Sequence, residues 1–211
     1  MPTLVFMGDS ITDCGRRTSG GAGYPEGLWG AGYPGLIASR LLADRPGEGW
    51  NIINQGISGN RIVDLYARWK GDCLNYAPDW VSILSGVNDL WHEKSCGNGV
   101  EVPRYAQFYQ MLLDWTRQSR PQARLVLMDP FASPFGAVSE DWLEDVAQRQ
   151  EVVRSLAEKN GAIHLPLGKV LETALKEAPP EYWLVDGVHP RPPFHQRIPD
   201  AWLKATGLAR P

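Results

Sequence analysis

The sequence predicts an α/β fold built on a parallel β-sheet that is buried on both faces. Three observations predict it. Short Val/Ile/Leu-rich runs alternate with stretches of helical period along the chain. The apolar runs are continuous rather than alternating in polarity, as strands covered on both faces are. The 211 residues, 43% hydrophobic and 21% charged, suit one domain around one sizeable core.

In chain order, the first strand is Thr3–Met7, running into Gly8-Asp9-Ser10. The Gly-rich segment Ser19–Gly35 is too long for a tight turn. It follows the first strand, so it is expected to form part of the rim of the crevice that open α/β sheets present at their strand carboxyl ends. A helix over Tyr33–Ala43, a strand over Asn51–Asn54 and a helix over Arg61–Trp69 follow. Trp80–Leu84 is the third strand, and the loop Cys96–Val102 after it belongs to the same side. Tyr105, Phe108, Tyr109, Leu112 and Thr116 recur at helical spacing and predict a helix over Tyr105–Arg117. Arg124–Met128 is the fourth strand. Glu140–Lys159 reads as a helix, with Asn160-Gly161 as its stop. Ala162–Leu165 is the fifth strand, and Lys169–Lys176 another helix. Interior proline costs a helix about 3 kcal/mol. The segment Arg191-Pro192-Pro193-Phe194, with Pro199 beyond it, therefore predicts a last helix that starts late or breaks near Pro199. With no internal repeat, low-complexity tract or linker, residues 1–211 read as a single domain.

Composition excludes several function classes. The net charge is -3 and the longest Lys/Arg run is Arg16-Arg17, which argues against a nucleic-acid partner or an anionic membrane. No apolar stretch approaches the roughly 20 residues that span a bilayer. The N-terminus lacks the basic and apolar regions of a signal peptide, so a cytoplasmic location is expected. Cys14, Cys73 and Cys96 form neither a disulfide framework nor a zinc site. His92, His164 and His195 have no ligand spacing with the acids or cysteines, so no metal is expected. Nine tryptophans are many for this length, a surplus that suits stacking on sugar rings or simply a core.

The chemistry concentrates at the strand ends. Ser10 sits at the carboxyl end of the first strand, where a hydroxyl is exposed. A serine hydroxyl is a poor nucleophile without a base to take its proton. Asp186-Gly-Val-His189 supplies one in principle: a carboxylate three residues before an imidazole can accept from Nδ1–H and leave Nε2 free. Acyl transfer also needs donors for a tetrahedral oxyanion. Asn54-Gln-Gly-Ile-Ser-Gly59-Asn and Ser85-Gly-Val-Asn88-Asp both fall after strands on the same edge, and offer a glycine amide and an asparagine NH2.

Gly8-Asp9-Ser10-Ile11-Thr12-Asp13, Gly56-Ile57-Ser58-Gly59-Asn60, Gly86-Val87-Asn88-Asp89 and Asp186-Gly187-Val188-His189-Pro190 resemble the four blocks of the SGNH (GDSL-like) hydrolases, in that family's order. The resemblance implies a flavodoxin-like three-layer α/β/α fold with strand order 2-1-3-4-5. It implies Ser10 as nucleophile, His189 as base and Asp186 as its orienting acid, with Ser10, Gly59 and Asn88 as oxyanion-hole donors. Asp13-Cys14-Gly15-Arg16, Ala67-Arg68-Trp69 and Pro78-Asp79-Trp80-Val81-Ser82-Ile83 are similar to a narrower group, the acetylxylan esterases and related carbohydrate acetylesterases. Trp69 and Trp80 in these pieces read as core. The expected activity is cofactor-free removal of acetyl groups from small acetylated carbohydrates through an acyl-enzyme. Asp9 is expected to order the turn by bonding to backbone; Asp9, Trp91 and His92 are candidate substrate contacts, and the surplus of tryptophan and the proline-rich C-terminus are compatible with a homo-oligomer. A short-chain aryl esterase, a thioesterase or a lysophospholipase on the same fold is the alternative activity. A non-catalytic carbohydrate-binding protein would have lost a catalytic group, and none is missing.

Overall fold

Five short parallel strands lie in the order β2-β1-β3-β4-β5. They are β1 (Thr3–Gly8), β2 (Asn51–Gly56), β3 (Trp80–Leu84), β4 (Arg124–Met128) and β5 (Ile163–Leu165). The computed structural model describes residues 1–17 and 28–210, so the predicted Gly-rich rim lies outside the described residues over 19–27.

β1 occupies the middle of the sheet and shows why. Leu4 and Phe6 point to one face and Val5 and Met7 to the other, and all four are fully buried. That is the period of two of a strand with both faces covered. On the first face lie α2 (Tyr33–Asp44), α7 (Leu167–Ala174) and α9 (Pro192–Thr206), which bury Ile37, Leu41, Leu171 and Trp202. On the second lie α3 (Ile62–Asp72), α5 (Val102–Ser119) and α6 (Leu143–Lys159), which bury Leu65, Tyr109, Leu112 and Val153. The result is a three-layer α/β/α sandwich. The short α1 (Ser10–Asp13) and α4 (Val87–Cys96) begin at the carboxyl ends of β1 and β3, and α8 (Pro180–Trp183) precedes the last motif.

The predicted helices recur with ends shifted by a few residues, but α4 was not among them. Only Val87, Asn88, Asp89 and Leu90 of its ten residues are buried, so no apolar stripe marks it in the sequence.

Seven of the nine tryptophans are buried: Trp29, Trp50, Trp69, Trp80, Trp142, Trp183 and Trp202. Trp69 and Trp80 are therefore core, as expected. Trp69 donates to Thr116 Oγ1 at 3.0 Å and Trp202 to Ser82 Oγ at 3.0 Å, so the indole N–H of these two fully buried rings is satisfied.

The C-terminal helix corrects an expectation. α9 neither starts late nor breaks: it runs from Pro192 to Thr206 with Pro199 inside it. Pro192 and Pro193 fill the first turn, where backbone N–H groups lack intrahelical partners anyway. Pro199 forfeits one bond at a cost of about 3 kcal/mol. Phe194, Ile198, Trp202 and Leu203 on the same helix are each at most 2% exposed. Burying an apolar side chain stabilises by roughly 1.5–3 kcal/mol, so packing outweighs the lost bond.

Candidate active site

β1 delivers Ser10 to the carboxyl edge at the centre of the sheet. The approach is close enough that Gly8 is required: a Cβ there would lie 2.1 Å from Thr12 Oγ1 and 2.6 Å from the Leu84 carbonyl oxygen. Asp9 caps α1, its Oδ1 accepting the Ile11 N–H at 3.0 Å. Ser10 Oγ then lies 2.9 Å from His189 Nε2.

Asp9 is not the substrate contact expected from the sequence. It is 1% exposed, and one carboxylate oxygen serves the backbone beneath Ser10. The other oxygen has no partner among the described residues. Burial raises its pKa to about 7, against the pull of the Ile11 amide and the nearby His189. A carboxyl enclosed in this way orders the turn and offers no surface to a ligand.

Asp186 and His189 meet on a single turn. Asp186 Oδ1 accepts the amides of Val188 at 3.1 Å and His189 at 2.9 Å, while Oδ2 faces His189 Nδ1 at 2.7 Å. Partial burial acts to raise the Asp186 pKa, but the two amides and the imidazole hold it below the usual carboxylate value. With Nδ1–H donated to this carboxylate, the Nε2 lone pair faces Ser10. The turn is clipped by a bridge between Leu184 and Pro190, and by the Val185 amide donating to the His189 carbonyl at 2.8 Å. Residues 133–137 brace it from behind: the Ser133 amide donates to Gly187 O at 2.8 Å and the Ala137 amide to Asp186 O at 2.9 Å. Gly187 has φ +97°, and a Cβ there would meet Phe135 O at 2.3 Å, so only glycine fits.

The remaining predicted residues also come to this edge. The Ile57 amide donates to Gly8 O at 3.1 Å, which places the loop of Gly59 and Asn60 beside the Ser10 turn. Asn88, in the first turn of α4, donates one Nδ2 hydrogen to Asn60 O at 3.2 Å. Its second hydrogen remains for an oxyanion. Three groups that sequence reasoning missed hold this loop. Asp13 Oδ2 accepts both the amide and the hydroxyl of Ser58, each at 3.2 Å. Asp89 accepts the Ile62 amide on both oxygens, at 3.1 and 3.2 Å. Arg68 donates to Asn60 Oδ1 at 2.7 Å and to Gly8 O at 3.2 Å, tying the two motifs together. The spacing of charged residues carried no signal for these contacts, because Asp13 to Ser58, Asp89 to Ile62 and Arg68 to Gly8 join segments 45, 27 and 60 positions apart. Loss of one oxyanion donor typically lowers kcat by about 10²–10³. Asn88→Ala is expected to show that loss in initial-rate kinetics, with KM little changed.

Trp91 and His92 flank the centre on either side of Asn88's helical face. The Trp91 ring lies 6.0 Å from that of His189, between centroids. His92 Nε2 lies 4.0 Å from the position a Gly59 Cβ would take. His164 is a β5 residue, as expected, and pairs with Asp129 Oδ1 at 2.6 Å. His195 is enclosed in α9, its Nδ1 accepting the Tyr33 amide at 3.2 Å. Burial lowers its pKa to about 4, so it is neutral at physiological pH. Among the described residues no three His, Cys, Asp or Glu side chains are placed to hold a metal ion. No described helix is long and apolar enough to cross a membrane.

A hydroxyl within reach of an imidazole that a carboxylate orients is equipped for nucleophilic acyl transfer. Comparison with known proteins agrees. The GDSL-like lipase/acylhydrolase family matches residues 6–197. An acetylxylan esterase from Geobacillus stearothermophilus is 34% identical over 207 residues, 97% of this chain and 94% of that one. The crystal structure of an acetylxylan esterase from the same organism superposes with a TM-score of 0.86 at 31% identity, over 98% of this chain and 94% of that one. A GDSL-like lipase candidate from Parabacteroides merdae superposes with a TM-score of 0.93 at 38% identity, over 99% and 96% of the two chains. In the Geobacillus enzyme, variants with a serine, an aspartate or a histidine replaced by alanine are catalytic mutants.

Proposed function

The chain belongs to the GDSL-like lipase/acylhydrolase family and is a carboxylic ester hydrolase; from that premise we propose that it removes acetyl groups from acetylated xylo-oligosaccharides with Ser10, His189 and Asp186 as its catalytic residues. The observation that carries this reading is the relay of 2.7 Å from Asp186 Oδ2 to His189 Nδ1 and 2.9 Å from His189 Nε2 to Ser10 Oγ. Ser10 Oγ attacks the acetyl carbonyl while His189 Nε2 takes its proton. The oxyanion is met by the amides of Ser10 and Gly59 and by Asn88 Nδ2. The sugar alcohol leaves with the proton from His189. Water then attacks the acetyl-enzyme, assisted by the same base, and acetate departs.

The substrate class is supported by the 34% identity to an acetylxylan esterase over nearly the whole chain. The free thiols Cys14, Cys73 and Cys96 support a reducing compartment, the cytoplasm, where oligosaccharides arrive after digestion outside.

The test is acetate release from acetylated xylo-oligosaccharides, run beside 4-nitrophenyl acetate and octanoate. The sugar ester is expected to turn over, and acetate to exceed octanoate in kcat/KM by more than about tenfold. Preference for octanoate with the sugar ester untouched would overturn the substrate assignment and leave the catalytic residues standing.

A further inference from the structure

His189 hands its proton to the departing oxygen, so the alcohol half of the ester must lie on the His189 side of Ser10. On that side stands Trp91, half-buried, its ring centroid 6.0 Å from that of His189 with the planes at 62°. Trp91 also packs against Trp142 in a T-shaped pair, with centroids 5.3 Å apart and planes at 88°. Trp142 is itself buried, so the Trp91 indole is held between a core residue and the base.

A groove of about 380 Å³ opens over this indole, lined by Trp91, Trp142, Lys94, Ser95, Ser139 and Asp141. Lys94 and Asp141 form an ion pair that joins its two walls, and Ser139 Oγ also donates to Asp141. The Ala137 amide, on the wall opposite α4, donates to Asp186 O, which fixes the groove relative to the catalytic turn.

We propose that this groove seats the sugar ring of the leaving alcohol, with Trp91 as its platform and Lys94 and Asp141 as the pair that binds its hydroxyls. A pyranose presents an apolar face of C–H groups and a rim of hydroxyls that donate and accept. Trp91 matches the first; the Asp141 carboxylate accepts and the Lys94 ammonium donates to the second. An aromatic wall with a few convergent polar groups is the usual make-up of a small-molecule site. Lys94 and Asp141 are 38% and 60% exposed, and an exposed pair of this kind contributes little to stability, so its side chains are available to a ligand. The inference rests on His189 being the general acid and extends the proposed function from the acyl group to the alcohol.

The experiment uses Trp91→Ala and the double variant Lys94→Ala/Asp141→Ala. Substrates are acetylated xylo-oligosaccharides, acetylated hexopyranosides and 4-nitrophenyl acetate, which lacks a sugar. The readout is the ratio of kcat/KM for each sugar ester to that for the aryl ester. It is expected to fall about tenfold or more in both variants. In the double variant the fall should come mainly through KM. The surface pair gives a result even if Trp91→Ala fails to fold. A double variant that keeps the wild-type ratio overturns the groove. Wild-type enzyme active on a hexopyranosyl acetate but not on xylosyl acetates, with the ratio still falling in the variant, overturns the xylan reading alone. Inactivity toward every sugar ester, with aryl acetate still cleaved, overturns both.

Discussion

Ser10→Ala is expected to lower kcat on 4-nitrophenyl acetate by about a million-fold, to a residue of activity owed to binding and the oxyanion hole. Among the described residues the hydroxyl is the one group that His189 Nε2 is placed to deprotonate, at 2.9 Å. Without it no acetyl-enzyme forms and the two-step route is lost. His189→Ala should cost about as much, and the double variant no more, because the two act as one unit. Initial rates, together with intact mass after rapid quenching, check the claim: the wild-type protein should gain one acetyl group and Ser10→Ala none. A variant keeping a hundredth of wild-type activity would point to another nucleophile. Cys14, four residues on, is poorly suited to that role. Burial and the neighbouring Asp13 raise its thiol pKa, and its sulfur lies 3.5 Å from the nitrogen of a neutral His195.

Asp186→Asn is expected to lower kcat by about 10⁴ while leaving the turn in place. The amides of Val188 and His189 can still donate to the amide oxygen, so the backbone keeps its anchor. What changes is the group facing His189 Nδ1. A carboxylate accepts there and forces the proton onto Nδ1; an amide NH2 donates there and forces it onto Nε2. Nε2 then points a hydrogen rather than a lone pair at Ser10, and the base is gone without loss of the ring. The expected signature is a large fall in kcat with little change in Tm. A fall below tenfold would mean that Asp186 merely shapes the turn.

The four motifs were legible because each is local. Ser10, Gly59, Asn88 and the Asp186–His189 turn lie directly after strands or within one turn, and a parallel sheet brings such positions to one edge. The sheet order itself came from family likeness, since periodicity does not say which strand neighbours which. What was hidden is long-range. Asp13 and Arg68 stand inside the family-like blocks, yet nothing local says that Asp13 holds Ser58 across 45 positions or that Arg68 holds Gly8 across 60. Asp9 carried two readings, orderer of the turn and substrate contact: its bond to the Ile11 amide bears out the first, and burial denies the second. Pro199 was weighed by backbone propensity alone. The burial of Phe194, Ile198 and Trp202 that outvotes it is a property of the assembled core.

Ser10 and His189 touch across 179 positions of sequence. A chain leaving the ribosome thus displays its nucleophile long before its base. Until the segment after Leu184 has emerged and closed over residues 133–137, Ser10 is no more reactive than any other hydroxyl. Stalled or prematurely terminated chains therefore carry no hydrolytic hazard to esters around them. By the same logic a single proteolytic cut that releases α9 and the turn before it silences the enzyme without touching its serine, and ester turnover in a cell extract counts only molecules in which the two segments have folded together.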